Sequence, residues 1–106
     1  MIDHLDLGGC AISAVNYSEV AAKLAERGVG GDSVRLALDR FQLDVRPFDV
    51  ERALRAGLLA PSTRSFGLSL GDRACIGLGL ELGTAVLTAD RAWQSLSLPV
   101  EVILVR

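Results

Sequence analysis

The chain has 106 residues, of which 50% are apolar and 5% aromatic, and its 11 basic and 13 acidic side chains give a formal net charge of −2. This length suits one domain with a mostly aliphatic core, and the apolar content excludes a disordered chain. The charge excludes nucleic-acid binding through an overall positive field, so any such contact would have to be local.

Apolar segments that could form strands alternate with amphipathic segments along the chain. The predicted strands are 11–13, 43–46, 84–88 and 100–105, and the predicted helices are 14–27, 33–41, 50–60, 70–82 and 90–96. Residues 61–67 are predicted to form a loop. This alternation is typical of an α/β fold with a largely parallel sheet.

Polar and apolar residues mark the expected ends and faces of these helices. Ser13 is placed to cap the first helix, and Ser69-Leu70-Gly71-Asp72 has the pattern of a capping box at the start of the fourth. In the third helix, Ala53, Leu54 and Leu58 are predicted to face inward. These three residues would serve equally well as a dimer face, and the sequence does not separate the two possibilities.

Several kinds of site are poorly supported by the sequence. Cys10 and Cys75 have no CxxC or CxxH spacing and are expected to be small buried apolar residues rather than zinc ligands. His4 is the single histidine, which makes a Ser-His-Asp site improbable. The nearly uncharged stretch 75–89 is too short and too interrupted to cross a bilayer. Because both cysteines are expected to be reduced, a cytoplasmic protein is expected.

Three acidic residues are expected at one edge of the predicted sheet. Glu19 falls in the second turn of the first helix, Asp72 in the first turn of the fourth, and Asp90 directly after a strand. In a parallel sheet, the carboxyl ends of strands and the amino ends of helices share one edge, where ligands usually bind. Carboxylates gathered there repel each other unless a hard cation such as Mg²⁺ or Mn²⁺ lies among them. The pattern therefore predicts a metal site.

Each acidic residue also has a purely structural interpretation. Asp72 fits the acidic position of a capping box, and Asp90 could cap the short helix that follows it. Glu19 lies beyond the first turn, so capping does not explain it, but a solvated helix face would. The expectation of a metal site rests on the joint occurrence of all three residues.

Four segments of the chain resemble the PIN-domain ribonucleases, in particular the VapC-type toxins of bacterial toxin–antitoxin pairs. The matching segments are ISAVNYSEV (12–20), VRPFD (45–49), GLSLGDRAC (67–75) and VLTADRAW (86–93). The last two are the more specific, because residues around the acids match as well. The resemblance implies a PIN-like three-layer α/β fold with a mostly parallel sheet.

The resemblance also implies a function and its site residues. The acidic site of the family maps onto Glu19, Asp72 and Asp90, which would bind Mg²⁺ or Mn²⁺ and support hydrolysis of an RNA substrate. The chain would then be an endoribonuclease, the toxin that a cognate antitoxin protein binds. Arg73 and Arg91 flank the site as possible phosphate contacts, although a surface ion pair would explain each equally well.

One part of the family pattern has no counterpart in this sequence. Family members begin with a strand that carries an acidic residue and with a helix before the segment matching Ala11–Ser13. We therefore expect residues 1–106 to be a single, N-terminally incomplete PIN-like domain that lacks the family's first strand. The missing acid counts against activity, and the missing strand would leave the edges of the strands at 11–13 and 84–88 exposed. The alternative function is an inactive interaction protein that binds an antitoxin or a second copy of itself as a homo-oligomer.

A third interpretation concerns the glycines. Gly77, Gly79 and Gly83 suggest a small-ligand binder on a flavodoxin-like sheet. They lie inside and at the end of a predicted helix rather than in a strand-to-helix turn, so they are a weak sign of a nucleotide site.

Overall fold

The computed structural model describes residues 10–88 and 91–104, which form two compact units on either side of residue 48. In chain order, the first unit contains β1 (Ala11–Ser13), α1 (Ala14–Glu26), α2 (Gly31–Asp39) and β2 (Asp44–Arg46). Its strands run parallel, with Ser13 in register with Arg46. Its most buried apolar residues are Val34 and Leu38 of α2.

The second unit is built around one long helix and a second pair of strands. It contains α3 (Val50–Leu58), α4 (Ala60–Thr63), a first 3₁₀ turn (Arg64–Phe66), α5 (Leu70–Leu82), β3 (Val86–Thr88), a second 3₁₀ turn (Arg91–Ser95) and β4 (Val102–Leu104). The strands β3 and β4 are parallel, with Val86 in register with Val102. The core consists of Ile76, Val86 and Trp93. Parallel strand pairs and amphipathic helices confirm the predicted α/β fold.

The contact between α5 and β3 depends on two glycines. Gly83 ends α5 with a φ of 65°, a left-handed conformation that favours glycine. Beyond it the chain reverses, and the Thr84 N–H donates to the Gly79 carbonyl at 3.0 Å. A Cβ at position 79 would overlap Val86 and lie 3.3 Å from a methyl of Val100. These two glycines therefore serve helix termination and close packing, and they do not support the nucleotide interpretation.

The predicted inward face of the third helix is wrong. Leu54 and Leu58 of α3 are 56% and 69% exposed, and Ala53 is exposed as well. The buried residue of this helix is Ala56. The helix is therefore turned so that its leucines point to solvent.

A cluster of charges joins α3 to α5 on the side opposite these leucines. Arg52 donates from Nε and Nη2 to the two carboxylate oxygens of Glu81 on α5, at 3.0 and 2.9 Å. Arg55 Nη1 lies 2.9 Å from Glu81 Oε1. Because Arg52 lies one turn from Ala56, the charged pair and the small residue share the side of α3 that faces α5. Apolar periodicity alone does not predict this, since α3 has apolar residues on both sides.

The loop predicted over 61–67 is also wrong. Residues 60–66 form α4 and the first 3₁₀ turn, with Pro61 in the first turn of α4, where its missing N–H costs nothing. The hydroxyls of Ser62 and Thr63 donate to the Leu59 carbonyl at 3.2 and 2.7 Å. Ser and Thr favour turns, which is why a loop is predicted here. In the structure, their hydroxyls instead form hydrogen bonds with the carbonyl at the end of α3.

Other boundaries differ by smaller amounts. The helix predicted over 33–41 begins at Gly31 and ends at Asp39, since the backbone of Gly30 starts it without a side-chain cap. The described part of the last predicted helix is a 3₁₀ turn. Cys10 and Cys75 are half-buried rather than fully buried as predicted. In the described ranges, no helix combines the length and apolar character needed to cross a membrane.

Candidate metal centre

Glu19 lies on the exposed side of α1, in the second turn after the strand β1. The hydroxyl of Ser13 accepts a hydrogen bond from the Val15 N–H at 3.2 Å, so the predicted cap of this helix is confirmed. Asn16 Nδ2 donates to Glu19 Oε1 at 3.1 Å. The Glu19 carboxylate is therefore open to solvent, with one of its oxygens held by the preceding turn.

Asp72 lies at the third position of α5 and is half-buried. Its Oδ2 accepts the Ser69 N–H at 3.0 Å, and its own N–H donates to Ser69 Oγ at 3.2 Å. The predicted capping box is thus confirmed, and Asp72 has the structural role that the sequence offered as an alternative. The box occupies one carboxylate oxygen and fixes the side chain at the start of the helix.

Asp90 lies outside the residues that the structure describes. Within 10–88 and 91–104, no group of three Asp, Glu, His or Cys side chains could hold a metal ion. Because the predicted set includes Asp90, and because Glu19 and Asp72 belong to different compact units, the gathering of the three acids stays a prediction.

The basic residues beside two of the acids differ in their surroundings. Arg73, next to Asp72, is half-buried, and its Nε is buried without a hydrogen-bond partner. Its guanidinium makes no ion pair within the described part of the chain, so the ion-pair explanation finds no support there. Arg91 is exposed. Trp93 is 4% exposed and belongs to the core.

A model of the PIN domain family matches residues 2–97 of the chain. The chain belongs to the PIN domain family. The match includes the positions of Glu19, Asp72 and Asp90. No curated protein and no solved structure shows significant similarity to it. PIN domains have a nuclease-like fold, generally use divalent metals and bind RNA.

The donor atoms of this PIN domain suit a hard divalent cation. The hydrogen bonds described above use Oε1 of Glu19 and Oδ2 of Asp72. The other carboxylate oxygen of each residue, Oε2 and Oδ1, does not take part in them and could contact a cation. Mg²⁺ and Mn²⁺ prefer oxygen ligands of this kind. Hydrogen bonds to the other carboxylate oxygen orient such ligands, and here Asn16 and the Ser69 N–H supply them.

Asn16 is a residue that the sequence interpretation missed. It lies within the first matching segment, where the resemblance assigns it no role. The available sign was its spacing, because side chains three residues apart on a helix are neighbours. A second missed residue is Arg46, which ends β2 in register with Ser13 and donates to Asp44 Oδ2 at 2.8 Å. Strand register cannot be obtained from the short segment 43–46 alone.

Proposed function

We propose that this PIN domain, a single domain over residues 1–106, is a divalent-metal-dependent endoribonuclease. Glu19, Asp72 and Asp90 would hold one Mg²⁺ or Mn²⁺ ion. The observation that carries the proposal is the family match over residues 2–97, a range that includes all three acids. The described side chains add two carboxylates that are already oriented by neighbouring hydrogen bonds.

The placement of Asp72 within its own unit supports this proposal. Asp72 and Gly79 are seven residues apart, so they lie on the same face of α5, about 10 Å apart along its axis. Gly79 lies close to Val86 of β3, and α5 ends at Gly83. Asp72 thus lies on the face of α5 that meets β3, and β3 ends at Thr88, two residues before Asp90 in sequence.

The proposed chemistry divides between the bound ion and the side chains. A divalent cation polarises the phosphate and lowers the pKa of water, which provides a nucleophile near neutral pH. The carboxylates of Glu19, in the second turn of α1, and Asp72, in the first turn of α5, would hold the ion. Arg73, whose guanidinium makes no ion pair within the described residues, would contact the RNA phosphate and fix the scissile bond.

The proposed biological role is that of a toxin in a toxin–antitoxin pair. Its partners would be an RNA substrate, a cognate antitoxin protein and a second copy of the chain, in the cytoplasm. A second candidate function is that of an inactive interaction protein. The observation that favours this alternative is the apolar side of α3, where Leu54 and Leu58 are 56% and 69% exposed.

The two functions are separated by an RNA cleavage assay with Mn²⁺ or Mg²⁺ and a broad panel of RNAs. The nuclease proposal expects cleavage that chelation abolishes and that Asp72→Asn and Glu19→Gln each lower by at least about 100-fold. Asparagine keeps an oxygen for the Ser69 N–H, so the cap is preserved while the charge is lost. Glu26→Gln, on the same helix as Glu19 and exposed, is the matched control and should leave cleavage unchanged.

Binding of Mn²⁺ provides an independent measurement. Titration followed by water-proton relaxation should show one tight site that Asp72→Asn weakens and Glu26→Gln does not. Absence of both cleavage and Mn²⁺ binding in a folded protein would exclude the nuclease proposal and leave the interaction protein. Mn²⁺ binding without cleavage would indicate that the metal site exists and that the panel lacked a suitable RNA substrate.

A further inference from the structure

Arg46 lies at the edge of the first unit where both of its strands end. The strands β1 and β2 are parallel, with Ser13 in register with Arg46, so both residues lie at the carboxyl ends of their strands. Ligands of α/β folds usually bind beyond this edge of the sheet. Neighbouring strands are about 4.8 Å apart, so Arg46 lies beside the residue that caps α1. It therefore occupies a position typical of ligand contacts, and the proposed metal site does not include it.

The guanidinium of Arg46 is held by the residue two positions earlier on the same strand. Its Nε donates to Asp44 Oδ2 at 2.8 Å, and the two side chains are 34% and 47% exposed. Residues two apart in a strand share a face of the sheet, which allows this contact. Within residues 10–88 and 91–104, no group accepts a hydrogen bond from Nη1 or Nη2 of Arg46. The donors on both terminal nitrogens are therefore available to a ligand.

The contact between Arg46 and Asp44 orients a cation more than it stabilises the fold. An exposed ion pair contributes little to the free energy of unfolding, because water and salt screen it. The same contact limits rotation of the guanidinium, so a ligand meets a cation whose orientation is already set. A planar guanidinium can contact two oxygens of one phosphate group at once. A phosphate is thus the ligand that suits these donors best.

Glu19 and Arg46 belong to the same unit, on elements that pack together. The helix α1 follows β1 directly and packs against both strands. Glu19 is six residues beyond Ser13, which corresponds to about 9 Å along the helix axis. This separation is larger than one phosphate group. We therefore expect Arg46 to contact a phosphate other than the one that an ion held by Glu19 would activate.

We propose that Arg46 binds a backbone phosphate of the RNA substrate to one side of the scissile bond. This inference rests on the proposed nuclease function and deepens it, because it assigns an arginine that holds the RNA without taking part in the chemical step. The net charge of −2 gives the chain no overall positive field, so contacts with RNA have to be local. The substrate is then an RNA strand with at least one phosphate besides the one that is cleaved.

The first test is binding of a short fluorescent single-stranded RNA, followed by anisotropy with EDTA present. Arg46→Ala should weaken binding by about tenfold, because a charge-assisted contact with a phosphate is lost. It should also make the plot of log K against log salt concentration shallower by about 0.7, the slope for one phosphate of a single strand. Arg40→Ala is the matched control, since Arg40 is an exposed arginine that precedes β2; it should change neither quantity.

The variant Arg46→Lys distinguishes an oriented guanidinium from a simple positive charge. Lysine keeps the charge, so the salt slope should match that of the wild type. An ammonium lacks the planar fork that contacts Asp44 and a phosphate together, so the affinity should lie between those of the wild type and Arg46→Ala. An affinity of Arg46→Lys equal to that of the wild type would contradict the orienting role of Asp44. Thermal unfolding of each variant close to that of the wild type establishes that it is folded.

Cleavage kinetics test which phosphate Arg46 contacts. A contact away from the reacting phosphate binds the ground state and the transition state equally, so Arg46→Ala should raise KM by about tenfold and leave kcat nearly unchanged. Its affinity for Mn²⁺ should equal that of the wild type, whereas Asp72→Asn weakens Mn²⁺ binding. A lowered kcat with an unchanged KM would place Arg46 at the scissile phosphate and overturn the inference.

The two proposals fail in different measurements. RNA affinity that Arg46→Ala leaves unchanged, or that Arg40→Ala lowers equally, overturns the inference whether or not the RNA is cleaved. RNA affinity that depends on Arg46, in a protein that neither binds Mn²⁺ nor cleaves RNA, supports the phosphate contact and overturns the nuclease proposal.

Discussion

The guanidinium of Arg52 and the carboxylate of Glu81 form a two-point contact that joins α3 to α5, with N–O distances of 3.0 and 2.9 Å. The planar fork of the guanidinium matches the carboxylate and permits little rotation of either helix. It lies on the side of α3 that meets α5, together with the buried Ala56. The apolar residues on the other side of α3 are exposed.

The first prediction is that, because of this contact, the folded protein loses stability as the pH falls into the acid range. The hydrogen bonds from Arg52 lower the pKa of the Glu81 carboxyl below its ordinary value of 4.5. A lowered pKa in the folded state contributes stability that is fully present above the ordinary value and is lost as the pH falls through the lowered one. Thermal unfolding between pH 7 and pH 3 should show this loss.

The variant Glu81→Gln checks the assignment. It should lower the melting temperature at pH 7 by roughly a few degrees and show a smaller further loss on acidification. Glu101→Gln, an exposed residue of the same unit, is the control and should keep the wild-type pH profile. An unchanged profile in Glu81→Gln would show that other groups cause the acid sensitivity.

The second prediction concerns Gly79, which β3 approaches too closely for a side chain. Gly79→Ala should lower the free energy of unfolding by about 1–3 kcal/mol, because the added methyl overlaps Val86. Gly77→Ala is the matched control, since its nearest neighbour would be Leu59 Cδ1 at 3.8 Å, and it should stabilise the helix by up to about 1 kcal/mol. Denaturant unfolding measures both. Equal effects of the two substitutions would contradict the packing argument.

The third prediction concerns the capping box of α5. Ser69→Ala removes the hydroxyl that accepts the Asp72 N–H and should cost about 1 kcal/mol of unfolding free energy. The backbone N–H at position 69 remains, so the Asp72 carboxylate stays oriented and the proposed RNA cleavage should persist. Ser65→Ala, an exposed serine in the first 3₁₀ turn, should have almost no effect on stability. A Ser69→Ala protein as stable as wild type would be inconsistent with the cap.

The fourth prediction tests Asn16 as a positioning residue for Glu19, and it rests on the proposed metal site. Asn16→Ala removes the hydrogen bond to Glu19 Oε1 and should weaken Mn²⁺ binding by about tenfold, as loss of such outer contacts does elsewhere. Ser18→Ala, exposed on the same helix, is the control for helix content. A merely structural role for Asn16 would change the melting temperature and leave the Mn²⁺ affinity unaltered.

Local patterns in the sequence are sufficient to predict several helices and strands. The α5 boundaries 70–82 follow directly from the capping box at Ser69 and the glycine at 83, and the structure confirms both. The parallel character of the strand pairs follows from the alternation of strands and helices. These features depend on residues within a few positions of one another, which is why sequence patterns capture them.

Features that depend on distant residues were not predictable in the same way. The side of α3 that meets α5 carries Arg52, whose partner Glu81 is 29 residues away in sequence. Apolar spacing predicts Leu54 and Leu58 inside, whereas both are exposed on the side away from this contact. For the metal site, the local positions of Glu19 and Asp72 at the starts of their helices match the prediction, but their approach to Asp90 depends on long-range packing.

The short connection between α3 and α5 has a consequence for the motions of this unit. The carbonyl of Leu59 accepts both the backbone N–H and the hydroxyl of Thr63, at 3.1 and 2.7 Å, and Thr63 is 1% exposed. A bend at this point would have to break both bonds and expose the buried Thr63 side chain to water. The amide proton of Thr63 should therefore exchange slowly with solvent.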